Sequence, residues 1–248
     1  MAAKEGGAGC VVVLHEVWGP DSNIESACKR LGKLGFATTT PSLYEGHEQL
    51  LTPRNIRSAM DVVWDLSLKE RRDKKRVAAE ADKKGADATD LEVLAVMYDR
   101  DFRDGLVEIT MDAIHDARSR YGRVATLGFS LGGGLSLTSA TQRGHPDSAV
   151  AYCAEPPKLR SPMGATAPML AICASHDDLM NPLMPPFVDA ALNRGVDLTV
   201  KTLPNTQHDF FNQTMKDRYD RRAAEEAWGF TTRFLTRTLA HRRPSSKR

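Results

Sequence analysis

Residues 123–134 read Arg123-Val124-Ala125-Thr126-Leu127-Gly128-Phe129-Ser130-Leu131-Gly132-Gly133-Gly134. The first part, Arg123 to Leu127, is short, apolar and β-branched, the pattern of a buried strand. Gly132 to Ala140 is small and apolar and predicts a helix. Between them lies a G-x-S-x-G turn. A serine on so sharp a strand-to-helix turn is forced outward, with its hydroxyl above the sheet and its backbone strained. The flanking glycines are required because a Cβ there would collide with the neighbouring strand and helix. The following helix aims its free N–H groups at the same spot, where a developing oxyanion would be stabilised. No lysine follows the glycines, which argues against a phosphate-binding P-loop.

Outward from this turn the chain alternates between strand-like and helix-like segments. Cys10 to Leu14 is a continuous apolar run, as a central parallel strand requires, and it ends in the loop His15-Glu16-Val17-Trp18-Gly19. Ser22 to Glu25 has the S-x-x-E form of a capping box and predicts a helix start. Ile24, Ala27, Cys28 and Leu31 form that helix's apolar face, and Gly35 closes it. Phe36 to Thr40 predicts the next strand, stopped by Pro41. Strand, helix and strand make a right-handed βαβ unit. Downstream, Leu106 to Arg120 carries apolar residues at helical spacing. Ala149 to Cys153 and Met169 to Ala174 read as strands, and Pro186 to Arg194 as a helix. Asp197 to Leu203 reads as a late strand. Ala223 to Leu239 reads as a final helix with Ala227, Phe230, Phe234 and Leu235 inward. The pattern predicts one α/β domain over 1–248, a doubly wound, mostly parallel sheet with helices on both faces.

Residues 54–103 have a different texture. Lys69 to Arg76 is heavily charged, Ala78 to Lys84 continues the charge with alanine, and Gly85 to Ala88 looks like a break. Thr89 to Glu92 has the form of a second capping box, with Leu91, Leu94, Ala95 and Tyr98 as the apolar side of a short helix. This region reads as a helical insertion, lid-like across the top of the sheet, its basic run a solvated helix face. Arg242 to Arg248 reads as a basic tail.

The 34 basic and 32 acidic residues leave a net charge of +2, which gives no case for nucleic acid. The longest apolar run near the N-terminus, Val11 to Leu14, is too short for a signal core or a membrane span, so a cytoplasmic protein is expected. The four cysteines, Cys10, Cys28, Cys153 and Cys173, form no C-x-x-C pair and read as buried free thiols.

A serine hydroxyl is a poor nucleophile without a base in hydrogen-bond reach, and the base needs an orienting partner. Ligands of open α/β sheets bind outside the carboxyl ends of the strands. Asp177 follows one strand and His208 the next. The order Ser130, Asp177, His208 is that of an α/β-hydrolase triad. Ser130 would attack a carbonyl, His208 would carry its proton, and Asp177 would hold the imidazole. Asp178 is the alternative carboxylate; His15 and His176 are weaker candidates for the base. The N–H of Leu131 and that of Val17, after the first strand, are the candidate oxyanion donors.

These segments resemble the dienelactone hydrolase family. Val12-Val13-Leu14-His15-Glu16-Val17-Trp18-Gly19 is similar to its first strand with an E-x-x-G loop, and Asn23-Ile24 to the start of its first helix. Leu34-Gly35-Phe36 through Pro41-Ser42-Leu43-Tyr44 resembles its next segment, and Gly128 to Gly133 its elbow. His208-Asp209-Phe210 resembles the H-x-F around its histidine. Arg218-Tyr219-Asp220 with Ala223-Ala224-Glu225-Glu226-Ala227-Trp228 resembles its last helix. The likeness spans residues 11–50 and 104–239. It implies an α/β-hydrolase fold and a hydrolase of small esters or lactones with no metal and no other cofactor. It supports Ser130, Asp177 and His208 as the triad, makes Glu16 the resting partner of the nucleophile, and makes Val17 an oxyanion donor. Two departures stand out. The best-known members carry cysteine where this chain has Ser130, so neither a thiolate cycle nor dienelactone itself carries over. Of the family's substrate-binding arginines, Arg54, Arg57, Arg100 and Arg103 are all open matches. The expected activity is a serine hydrolase working through an acyl-enzyme. A thioesterase or peptidase on the same scaffold, or a catalytically silent binding module, are the alternatives. Monomer and dimer are both compatible.

Overall fold

The computed structural model of the chain describes residues 8–159 and 166–239. The sheet comprises β1 (Cys10–Leu14), β2 (Ala37–Thr39), β3 (Val124–Phe129), β4 (Ser148–Tyr152), β5 (Met169–His176) and β6 (Leu198–Gln207). They lie in the order β2-β1-β3-β4-β5-β6, and every ladder is parallel. The winding reverses between β1 and β3, which opens a crevice at their carboxyl ends. The helices are α1 (Ser22–Lys33), α2 (Pro53–Val63), α3 (Leu68–Arg71), α4 (Lys74–Lys84), α5 (Ala88–Met97), α6 (Arg100–Tyr121), α7 (Leu131–Ser139), α8 (Met184–Asn193) and α9 (Arg221–Leu239). None is long and apolar enough to cross a membrane.

Alternation along β1 divides the core. Val11 and Val13 pack with Ile24 and Leu31 of α1 and with Ala227, Phe234 and Leu235 of α9. Cys10, Val12 and Leu14 pack on the other side with α2, α5, α6 and Leu135 of α7. β1 is therefore apolar on both faces, as a strand covered by helices on both sides must be. A third cluster joins Leu137 of α7 and the β4–β5 edge to Phe187 of α8.

Several boundaries differ from the sequence reading. The cap of α1 is Asp21, whose carboxylate accepts from the N–H groups of Asn23 and Ile24. It stands one residue before Ser22 and takes the donors that a Ser22 cap would have used. The cap of α5 is Asp87, which forms a reciprocal box with Asp90 in place of Thr89 with Glu92. In this helix Val93, Leu94 and Met97 face inward while Leu91 and Ala95 are exposed. A register shift between Ala174 and His176 lets β6 continue to Gln207, past the expected end at Leu203. Cys28 and Phe230 are half-buried, while Cys10, Cys153 and Cys173 are buried, and all four thiols are free. The basic tail 242–248 lies outside the described residues.

The turn between β3 and α7 is close-packed backbone. A Cβ on Gly128 would overlap the carbonyl of Gly132, and one on Gly132 would overlap those of Leu14 and His15. Gly132 donates its N–H to the His15 carbonyl at 3.1 Å, tying the elbow to the end of β1. Gly132→Ala is expected to cost about 1–3 kcal/mol of stability, the range for forced overpacking, read as a lower midpoint in urea unfolding.

Candidate active site

Three loops at the carboxyl ends of β3, β5 and β6 bring three side chains together. Ser130 is the residue between β3 and α7, with φ 48° and ψ −107°. That conformation costs a non-glycine residue on the order of 1–3 kcal/mol. Its N–H donates to the Tyr152 carbonyl at 2.8 Å, and its own carbonyl accepts from Gly134 at 3.0 Å, so the strained turn is held from both sides. Asp177 sits in a tight turn after β5. The turn is closed by Asn181, which donates from its backbone to the Asp177 carbonyl and from its side chain to Ala174 and Ser175. His208 follows β6 directly, so the longer β6 sets its position.

The hydroxyl of Ser130 lies 2.9 Å from Nε2 of His208, and Nδ1 of His208 lies 2.7 Å from Oδ2 of Asp177. The other Asp177 oxygen accepts the Met180 N–H at 3.1 Å. A carboxylate only accepts, so Nδ1 carries the hydrogen and Nε2 is left as the acceptor for the Ser130 hydroxyl. Of the adjacent acids, Asp177 is 2% exposed and bonded to the ring, whereas Asp178 is exposed. His176 is exposed. His15 is buried, with its ring edge-on to Tyr44 and Nδ1 against the Glu16 carbonyl, and burial holds its pKa down. Val17 and Leu131 both line the cleft; Leu131 opens α7, where its N–H has no carbonyl of its own helix to meet. Tyr44 donates to the Val17 carbonyl at 2.6 Å, which fixes that loop.

Glu16 is 1% exposed. Its Oε1 accepts from the side-chain amides of Asn212 at 2.7 Å and Asn23 at 3.3 Å. These bonds take Glu16 toward α1 and the loop after β6, while the Ser130 hydroxyl faces His208. Burial is the main cause that pushes the Glu16 pKa well above the ordinary carboxyl range, with Asp209 and Asp21 adding to it. Asp209, next in sequence to the histidine, has φ 68°. Its Oδ1 lies 3.5 Å from Nε2 of His208, and its Oδ2 3.2 Å from Arg218.

The sequence reading left out Asp209, Asn212, Arg72 and Glu155. Arg72 and Arg103 both pair with Glu155 after β4, at 2.7 and 3.1 Å. Arg103 is thus the one of the four candidate arginines that lines the cleft. Arg54 is exposed on α2, Arg57 stacks over Trp18, and Arg100 pairs with Asp104. The cleft has a volume of about 1640 Å³, with Trp18, Trp64, Leu135 and Phe187 among its apolar walls. The sulfur of Cys153 lies within 4.8 Å of the ligating atoms of Asp177 and His208. Burial raises its pKa well above the usual thiol value.

A parallel, doubly wound sheet with a strained serine turn at its switch point defines an α/β hydrolase. The chain belongs to the dienelactone hydrolase family, whose model matches residues 2–239. A protein of Saccharolobus solfataricus named "putative carboxymethylenebutenolidase" is 29% identical over 244 residues, covering 96% of this chain and 92% of that protein. Among solved structures, the dienelactone hydrolase-like promiscuous phosphotriesterase P91 from metagenomic libraries superposes with a TM-score of 0.65 at 17% identity, covering 95% of this chain and 88% of that one. Esterase PE8 gives a TM-score of 0.57 at 14% identity, covering 94% and 95%. At these identities the structural likeness concerns the fold.

The imidazole of His208 is subject to opposed effects. Burial alone would lower its pKa; the carboxylates of Asp209 and Asp177 outweigh burial and raise it. An NMR titration of His208 should therefore give a midpoint above the ordinary histidine value of about 6.5. Asp177→Asn, which removes the hydrogen-bonded anion, should move that midpoint down.

Proposed function

We propose that this hydrolase cleaves a small carboxylic ester or lactone through a serine acyl-enzyme. The observation that carries the reading is the hydrogen-bonded series Ser130–His208–Asp177 on a positive-φ elbow. Ser130 attacks the carbonyl carbon as His208 Nε2 takes the hydroxyl proton. The tetrahedral oxyanion sits at the N-terminus of α7, with the N–H groups of Leu131 and Val17 as donors. His208 then gives the proton to the leaving alkoxide, and the acyl group remains on Ser130. Water repeats the cycle with the same base and frees the acid. Asp177 keeps Nδ1 protonated throughout and stabilises the imidazolium. Serine, imidazole and carboxylate supply the nucleophile and the base, so the cycle requires no metal and no other cofactor.

The substrate is a small molecule with a substantial apolar part, in keeping with the walls of the cleft. Several charged side chains of the cleft are paired with one another. Arg72 and Arg103 are neutralised by Glu155, and Arg218 by Asp209. Arg71 spends its guanidinium on the carbonyls of Leu66 and Trp64. The helices α2 to α5, within the 54–103 segment, supply the wall that carries Trp64, and we assign them the role of a cover over the acyl site.

A fluorophosphonate should modify Ser130 and no other residue, read by mass spectrometry of the labelled peptide. Ser130→Ala should abolish turnover of a p-nitrophenyl ester, and His208→Ala should lower it by about a thousandfold or more. Retained turnover in Ser130→Ala would refute the nucleophile assignment.

A further inference from the structure

Behind the nucleophile, two acidic side chains each bury one oxygen that finds no donor. Glu16 and Asp209 are each 1% exposed. Glu16 Oε1 is used by Asn212 and Asn23, and Asp209 Oδ2 by Arg218. That leaves Glu16 Oε2 and Asp209 Oδ1, both buried and both without a hydrogen-bond partner. The two carboxyl groups are also near enough for the charge of Asp209 to act on Glu16. Two carboxylates offer each other only lone pairs, and such a contact without a proton is repulsive. One proton removes both orphaned oxygens at once.

We propose that Glu16 is a neutral carboxylic acid donating its proton to Asp209, and that Asp209 is thereby a positioning residue for His208. The surroundings favour the proton on Glu16. Arg218 holds the charge of Asp209, while Glu16 has only neutral amides, Tyr44 and the further anion Asp21 about it. His15, whose pKa is depressed, and the neutral thiol of Cys153 add no positive charge. Burial raises the Glu16 pKa in the same sense.

The position of Asp209 gives the pair its consequence. Its Oδ1 is 3.5 Å from Nε2, the nitrogen that faces Ser130. A fully exposed lone pair there would compete for the imidazolium N–H, drawing it from the leaving group. With Glu16 donating to that oxygen and Arg218 to the other, Asp209 still raises the affinity of His208 for a proton but competes weakly for its direction. The pair stands on the two buried, unpartnered oxygens; only its effect on turnover rests on the serine-hydrolase reading.

Two measurements test it. Infrared spectra of the wild-type protein at neutral pH should show a protonated-carboxyl C=O band that moves when glutamate is 13C-labelled and is absent from Glu16→Gln. No glutamate-sensitive band at neutral pH would overturn the proposal, whatever the fate of the catalytic assignment. The acid limb of kcat/KM against pH provides the second reading. Asp209→Asn should move it down by about one pH unit or more, since an anion beside the imidazole is lost. Glu16→Gln, isosteric with the neutral acid, should leave the limb in place. A downward shift in Glu16→Gln like that in Asp209→Asn would mean that Glu16 carries a charge, and would also overturn it. The infrared band is independent of whether Ser130→Ala is inactive, so the two proposals can fail separately.

Discussion

The structure depends on how closely bare backbone can approach at one turn. Gly128 and Gly132 let the first turn of α7 settle onto the ends of β3 and β1, where any side chain would overlap carbonyl groups. From that contact follows the exposure of the Ser130 hydroxyl, its strained φ, and its 2.9 Å separation from His208. The strain, on the order of 1–3 kcal/mol, is small beside the burial of the strands that enforce it. Five fully buried side chains on β1 alone, Cys10 to Leu14, contribute about 1.5–3 kcal/mol for each Val or Leu.

The electrostatics of the site run through one imidazole. Asp177 binds its Nδ1 edge and Asp209 flanks its Nε2 edge, so His208 stands between two buried carboxylates. Two anions would make a strong proton trap, too basic to release its proton readily near neutrality. Two devices temper them. Asp177 takes a backbone hydrogen bond from Met180, and Asp209 takes an ion pair from Arg218. Arg218 itself is held over Trp64, 4.3 Å from the ring centroid, so the cleft wall and the acid–base group are mechanically joined.

Much of this was legible in the sequence where a physical rule is local. The elbow announces itself because only glycine fits its close contacts. The strands announce themselves because double burial demands continuous apolar runs. The roles of Ser130, Asp177 and His208 were read from chain order and from loops at strand ends, and the fold does bring those side chains within hydrogen-bond distance. What was not legible was non-local. Asp209 looked like a spacer beside a histidine, and its meaning depends on Glu16, almost two hundred residues earlier. Arg72 belonged to a charged run that read as a solvated face, and it is exposed, but its partner Glu155, after β4, could not be read from that run. The misplaced cap of α5 shows the same limit at short range. Asp87 and Thr89 both satisfy cap chemistry, and the local sequence does not choose between them.

The helical segment before α6 is joined to the loops around the site by more than one contact. Arg72, just beyond α3, and Arg103, on α6, converge on Glu155, which lies past the end of β4, the strand beside the elbow. Arg218, on the loop after His208, reaches Trp64 beyond α2. Exposed ion pairs contribute little singly, about 0–1 kcal/mol, so these contacts do not by themselves lock the helices down. They orient them. The helices themselves are fixed by the apolar core, where Ile56, Met60, Val63, Val93 and Leu94 pack with Val12 and Leu14 of β1. Packing thus sets where these helices lie, and the ion pairs set where charged side chains stand at the rim of the cleft.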